Sequence, residues 1–147
     1  MSRLGRAGED TCMAPEPRDK AIIVTGGARG IGAAIVRACH SEGAIPVIVD
    51  RDAEAGERLA AKLGKHGSVS KVVSAGLASA IGCAYALERT ISNFGCLDGL
   101  VNHAGTKDFV SPEHGSSDDY VESIHRNLVH YYSMGWSEPL LPLVPAA

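Results

Sequence analysis

Two hydrophobic periods take turns along this chain. Short apolar-rich runs at 21–24, 45–49, 69–73 and 97–102 have the length and composition of strands buried on both faces of a parallel sheet. Between them the apolar positions recur at helical spacing. Ile31, Ala34, Ile35 and Ala38 predict a helix over 30–41, and Leu59, Ala60 and Leu63 share one face of a helix over 53–63. Ile81, Tyr85 and the run 87–91 mark a helix over 78–94. After a loop at 106–117, Val121, Ile124, Leu128 and Tyr131 mark another, with Ser116 or Ser117 as its cap and Asp118 and Asp119 in its first turn. Gly43 fits a helix C-terminus, and Gly64 and Gly67 close the second helix. Strands alternating with helices predict an α/β fold around a parallel sheet.

The first strand runs into Thr25-Gly26-Gly27, and a helix begins at Gly30. Strand, glycine-rich turn and helix in that order form a context for binding phosphate, because a helix N-terminus offers free N–H groups and the positive end of its dipole. Glycines at 26, 30 and 32 let backbone approach a pyrophosphate and let the helix lie close on the strand. Their spacing is neither Gly-x-Gly-x-x-Gly nor a P-loop, since no Gly-Lys-Ser/Thr follows. The bland alternative is a glycine-rich turn with no ligand. The second strand ends at Asp50, close to the ~20-residue spacing at which an acid meets a ribose 2′-hydroxyl. A carboxylate there accepts from a free 2′-hydroxyl and repels a 2′-phosphate, which favours NAD over NADP. Arg29 and Arg51 argue weakly the other way. Asp50 could equally be an acid at a helix start or a turn residue.

Composition narrows the function classes. The 147 residues suit one domain, and 45% hydrophobic with 21% charged residues is ordinary for a globular chain. A net charge of −3 gives no nucleic-acid or anionic-membrane surface, and no apolar run approaches the ~18 residues of a membrane span. Cys12, Cys39, Cys83 and Cys96 form no C-x-x-C pair and read as reduced thiols of a cytoplasmic protein. No metal site is expected. Residues 1–18 read as a disordered leader without a signal-peptide apolar core, Met13 being an alternative start, and 19–135 as the folded domain. Pro139, Pro142 and Pro145 give 136–147 an extended, proline-rich character.

The pattern Thr25-Gly26-x3-Gly30-Ile31-Gly32 after the first strand resembles the short-chain dehydrogenase/reductase family. Asp50, Asn102-His103-Ala104-Gly105 (Asn-Asn-Ala-Gly in the family) and Asn127 follow in the family's order, so the resemblance covers about residues 20–135. It implies a Rossmann-like doubly wound parallel sheet of strand order 3-2-1-4, truncated after about four strands. It implies dinucleotide contacts from Thr25, Gly26, Arg29, Gly30, Ile31, Gly32, Asp50, Leu77, Asn102, Ala104 and Gly105. Gly76 stands where the family carries an Asp that meets the adenine, so that contact is lost. Asn127 matches an Asn whose backbone carbonyl holds a water of the catalytic proton relay; taken alone, it is a helix surface residue. His103 replaces the second Asn and is read as structural. The run 124–134 further resembles sugar-oxidising members of the L-fucose dehydrogenase kind, which bears on substrate class only.

The family's chemistry also needs a Tyr, a Lys four residues later and a Ser on a fifth strand. An unassisted Tyr, with a pKa of ~10, is a poor base at neutral pH. No Tyr-x-x-x-Lys occurs: Arg89 follows Tyr85, Ile124 follows Tyr120, and Gly135 and Trp136 follow Tyr131 and Tyr132. Ser137 is the only serine of the tail. The sequence therefore reads as the first half of an NAD(P)-dependent oxidoreductase acting on an alcohol or carbonyl substrate, inactive alone. A truncated gene, a frameshift or an engineered fragment would look the same. The alternative is a non-catalytic, dinucleotide-binding or dimerising half-domain. A four-strand sheet of this order leaves the fourth strand as an edge, which predicts marginal stability or self-association there.

Overall fold

The computed structural model describes residues 16–64 and 70–135. The expected leader up to residue 15, Met13, Gly67, Val69 and the proline-rich tail with Ser137 lie outside the described residues. The elements are β1 (Ala21–Thr25), α1 (Gly30–Ser41), β2 (Ile45–Asp50), α2 (Ala53–Gly64), β3 (Lys71–Ser74), α3 (Ala80–Phe94), β4 (Gly99–Val101), α4 (Ser117–Ile124), a π-helical turn (His125–Val129) and α5 (His130–Gly135). The sheet is parallel throughout, in the order β3-β2-β1-β4. This is the Rossmann-like arrangement the sequence predicts.

The core has two layers, one on each face of the sheet. Ile23, Val47, Val49 and Val73 meet Cys83, Ala86 and Leu87 of α3 and Met134 of α5. On the other face Val24 and Ile48 meet Ala33 and Val36 of α1 and Ala55, Leu59 and Leu63 of α2. Adjacent residues of β1 and of β2 thus feed opposite layers, the period of two expected of strands covered on both faces.

Four details differ from the sequence expectation. On α1 the buried residues are Gly32, Ala33 and Val36, not the stripe Ile31, Ala34, Ile35, Ala38; Ile31 is 70% exposed. The reason is close approach. A Cβ on Gly32 would stand 2.1 Å from the Gly26 carbonyl oxygen, so this face lies against the glycine turn and Ile31 turns away. On α3 the helix starts at Ala80, because the Ser79 hydroxyl caps it by accepting from the Gly82 amide at 3.1 Å. Ile81 and Tyr85 are exposed there, while Cys83, Ala86, Leu87 and Thr90 are buried. β3 and β4 are shorter than predicted. Before β4, the Asp98 carboxylate accepts from the Ala21 amide at 2.9 Å and pairs with Lys20 at 3.2 Å, fixing where the strand begins.

The last helix departs most. Ser116 and Asp119 form a capping box that starts α4. Within one helical stretch the backbone then widens into the π turn, which shifts the phase of everything after it. His130 and Met134 become the buried positions, while Val121 and Leu128 of the expected stripe remain 55% and 56% exposed. β4 is a sheet edge among the described residues.

Gly32→Ala should be strongly destabilising, by about 2–3 kcal/mol, because the atom it meets is backbone and cannot rotate away. Urea unfolding of wild type and variant checks this; equal midpoints would contradict the packing described.

Candidate functional site

The carboxyl ends of the parallel strands form one rim, where an open α/β sheet binds its ligands. β1 and β4 are held together at that rim by a single hydroxyl. Thr25 is fully buried; its Oγ1 accepts from the amides of His103 at 2.9 Å and Ala104 at 3.0 Å and donates to the Val101 carbonyl at 3.3 Å. The next residue, Gly26, has φ +65°, and a Cβ there would stand 2.9 Å from the Ala104 Cα. The glycine turn and the segment after β4 are thus in backbone contact.

The neighbouring turn is tied just as closely. Asp50, at the end of β2, accepts from the Ala28 amide through Oδ2 at 3.0 Å and from the Asp52 amide through Oδ1 at 3.0 Å. Asp52 caps α2 by accepting from the Ala55 amide at 2.9 Å and pairs with Arg29 across the glycine turn. The Ala55 amide, opposed by desolvation and helped by Arg29 and Arg58, holds the Asp52 carboxyl below the usual carboxylate range.

These contacts enclose a cleft of about 460 Å³ along the rim. Gly26 and Arg29 line one wall, Asp50, Arg51 and Asp52 the next, and Ala75 to Ala78 the far end. Val49, His103, Ala104, Gly105, Thr106, Arg126 and His130 complete it. Of the residues expected from the sequence, Gly26, Arg29, Asp50, Leu77, Ala104 and Gly105 line the cleft. Thr25, Gly32 and Asn102 stand behind it, and Gly30 and Ile31 open the helix beside it. Asn102 Oδ1 is buried with no partner among the described residues.

Asn127 sits at the centre of the π turn and does not line the cleft. Its Oδ1 accepts from the Thr106 amide at 2.7 Å, and its Nδ2 donates to the Ser123 carbonyl at 3.1 Å. The side chain therefore fastens the loop after β4 to the helix. A π turn inside an α-helix often marks a functional position, because it releases backbone groups from the regular ladder.

His130, Arg126 and Asp52 were not singled out from the sequence. His130 is 1% exposed, and its imidazole donates to the Ala104 carbonyl, while Nε2 has no partner among the described residues. The donating nitrogen is therefore Nδ1. Burial lowers its pKa, against the opposing pull of the Ala104 carbonyl. The one available signal was its place four residues after Arg126, on the same helix face.

With this geometry in view, the comparisons decide the family. The family model for short chain dehydrogenases matches residues 20–137. The chain belongs to the short-chain dehydrogenase/reductase family. It is 32% identical over 121 residues to a probable galactose dehydrogenase of Rhizobium meliloti, covering 82% of this chain and 47% of that protein. It is 37% identical over 118 residues to L-fucose dehydrogenase of Rattus norvegicus, covering 78% and 42%. A short chain dehydrogenase from Burkholderia cenocepacia in complex with NADP superposes with TM-score 0.75 at 30% identity, covering 82% of this chain and 50% of that one. L-Sorbose reductase from Gluconobacter frateurii, complexed with NADPH and L-sorbose, gives 0.74 at 27% identity, covering 80% and 45%. This short-chain dehydrogenase/reductase chain spans about half the length of the curated relatives it matches. No helix among its described residues is long and apolar enough to cross a membrane.

His130 makes stability pH-dependent. Its folded pKa is depressed, so below the unfolded value of ~6.5 the unfolded chain takes up the proton first. The stabilisation is complete above about pH 7.5 and is lost as pH falls through the folded pKa. His130→Asn, which keeps a donor near the Ala104 carbonyl, should lose less stability than wild type between about pH 7.5 and 5.5 in urea melts. Equal losses would contradict a buried neutral imidazole.

Proposed function

We propose that this chain forms the dinucleotide-binding part of a nicotinamide-dependent oxidoreductase that moves hydride between the cofactor and a carbonyl/alcohol pair. The residues fit such a cofactor. Gly26 and Gly32 leave no room for a Cβ, so backbone amides at the start of α1 stay accessible to a pyrophosphate. The apolar end at Ala75 and Leu77 suits a nucleobase. When bound, the nicotinamide supplies the hydride chemistry, and this chain orients it. Thr25 and Asn102 act from behind the cleft by fixing the turn and the end of β4, and Gly30 and Ile31 act from the start of α1 beside it.

The observation that carries this reading is Asp50, a carboxylate held by two backbone amides at the rim of the cleft. A carboxylate fixed there accepts from a ribose 2′-hydroxyl and repels a 2′-phosphate. Arg29, one of the cations that line the cleft, is engaged by Asp52. We therefore assign NAD as the preferred cofactor, in contrast to the NADP and NADPH of the solved relatives. The names of the relatives, which include galactose, L-fucose and D-threitol dehydrogenases, support a sugar or polyol as the substrate class. Asn127 is assigned to the proton relay through its backbone carbonyl, on its place within the π turn. We place the protein in the cytoplasm.

Its 147 residues contain no Tyr-x-x-x-Lys, so we assign the proton-transferring groups to residues outside this sequence and expect no turnover by this chain alone. A second reading, a non-catalytic dinucleotide-binding or dimerising half-domain, is favoured by one observation. β4 is an edge strand among the described residues, and Tyr120, Val121 and Leu128 of the helical stretch that follows it are exposed.

Titration of the purified chain, followed by nicotinamide fluorescence, tests the cofactor assignment. NADH should bind saturably and at least about ten-fold more tightly than NADPH, as expected for an unpaired charge repulsion of ~1.4 kcal/mol or more. Asp50→Asn should narrow that gap. Tighter binding of NADPH by the wild type would overturn the assignment of NAD.

A further inference from the structure

This inference rests on the dinucleotide reading and concerns the peptide between Ala104 and Gly105, in the wall of the cleft. The peptides on either side of it are held by side chains. Thr25 Oγ1 accepts from the Ala104 amide at 3.0 Å, and Asn127 Oδ1 accepts from the Thr106 amide at 2.7 Å. The peptide between them can still turn over, because glycine at 105 tolerates either orientation. Its carbonyl, that of Ala104, accepts from the imidazole of His130. A peptide unit is planar, so fixing this carbonyl also fixes the direction of the Gly105 N–H. His130 therefore locks the one peptide of the segment that Thr25 and Asn127 leave free.

The imidazole can do so in one protonation state. It is 1% exposed, and its Nε2 is buried with no partner among the described residues. A proton on Nε2 would create a buried charge and an N–H with no acceptor, and both are costly. The surroundings offer no relief. α3 packs on α5, and its buried side presents Cys83, Ala86, Leu87 and Thr90. The Cys83 thiol donates to the Leu77 carbonyl at 3.5 Å, and burial pushes it up, so it stays neutral. From the segment after β4, the His103 ring lies against Gly32. On the same helical stretch Arg126 pairs with Glu122 at 3.1 Å, and the Tyr131 ring is 4.6 Å away, centroid to centroid. In the cleft Asp50 holds two amides, Asp52 holds Arg29, and Arg51 carries donors only. Burial and the Ala104 carbonyl are what act on the imidazole; among the described residues no carboxylate does.

We propose that His130 is a positioning residue for the dinucleotide. The neutral imidazole locks the Ala104–Gly105 peptide in the orientation the cofactor meets. The protonated ring leaves its buried place and unlocks that peptide, so cofactor affinity falls in acid through this one side chain.

The full chain is titrated by calorimetry with NAD⁺, which withstands mild acid. At about pH 7.5, where the imidazole is neutral, His130→Leu removes the donor and should weaken binding about three- to ten-fold, the range for one buried hydrogen bond. His130→Asn, which keeps an N–H donor, should recover most of that loss. On acidification the wild type should lose affinity as His130 takes up its proton, while His130→Asn follows a flat profile. Nitrogen NMR of the imidazole should show Nδ1 protonated and Nε2 bare in the neutral chain. Saturating NAD⁺ should move the His130 protonation midpoint to lower pH, the reciprocal of the same coupling. The pH comparison and the NMR midpoint need no His130→Leu protein. Folded His130→Leu that binds as tightly as wild type would overturn the positioning role. Wild-type affinity that stays flat until the chain unfolds, an equal acid loss in His130→Asn, or a neutral ring protonated on Nε2 would also overturn the proposal. Failure of NAD⁺ to saturate the folded wild type at about pH 7.5 would instead refute the dinucleotide reading itself, and the inference with it.

Discussion

The hydroxyl of Thr25 is the contact on which the rim of this sheet depends. β1 and β4 are hydrogen-bonded neighbours for only a few residues, ending at Val24 and Val101. Beyond that point the chain leaves β4 and would carry two unpaired amides into a buried region. Thr25 Oγ1 satisfies both of them. A buried donor left without a partner costs about 1–3 kcal/mol, so the residues that follow β4 are held against the glycine turn rather than free to swing outward. The near-contact of Gly26 with the Ala104 backbone follows from this, and so does the position of His130, which donates to the Ala104 carbonyl from the other side.

The remainder of the site is a set of similar substitutions of side chain for ladder. Asp50 takes the amides of Ala28 in the glycine turn and of Asp52 after β2, Asp52 takes the Ala55 amide at the start of α2, and Arg29 ties Asp52 to the glycine turn. Asn127 takes the Thr106 amide and joins the loop after β4 to the π turn. These polar side chains are thereby oriented before any ligand arrives. That suits a site whose role is to position a cofactor rather than to react with it.

Much of this was legible in the sequence, for reasons that differ by residue. The strand–turn–helix at Gly26 to Gly32 follows from hydrophobic period and glycine placement, both local signals, whereas the strand order was implied by the family resemblance. Asp50 was legible because it ends an apolar run. The buried face of α1 was not, because Gly32 faces the strand for lack of a side chain, and a rule that counts large apolar residues ranks it last. Past Ile124 the last helix was misread because period counting assumes an unbroken α-helix and the π turn displaces the phase; before it, Val121 is exposed because α4 buries no residue. His130 was hidden by the same displacement. The double role of Thr25 could not be read at all, since its partners lie 76 to 79 residues away.

Native-state hydrogen exchange at the His103 and Ala104 amides tests the central role of Thr25 most directly. Both should be protected in the wild type to about the level of the central strands, should stay protected in Thr25→Ser, and should become fast in Thr25→Val while the amides of β2 remain slow. Fast exchange at those two amides in the wild type, or undiminished protection in Thr25→Val, would contradict the account, because the rim would then be held together by something other than this hydroxyl.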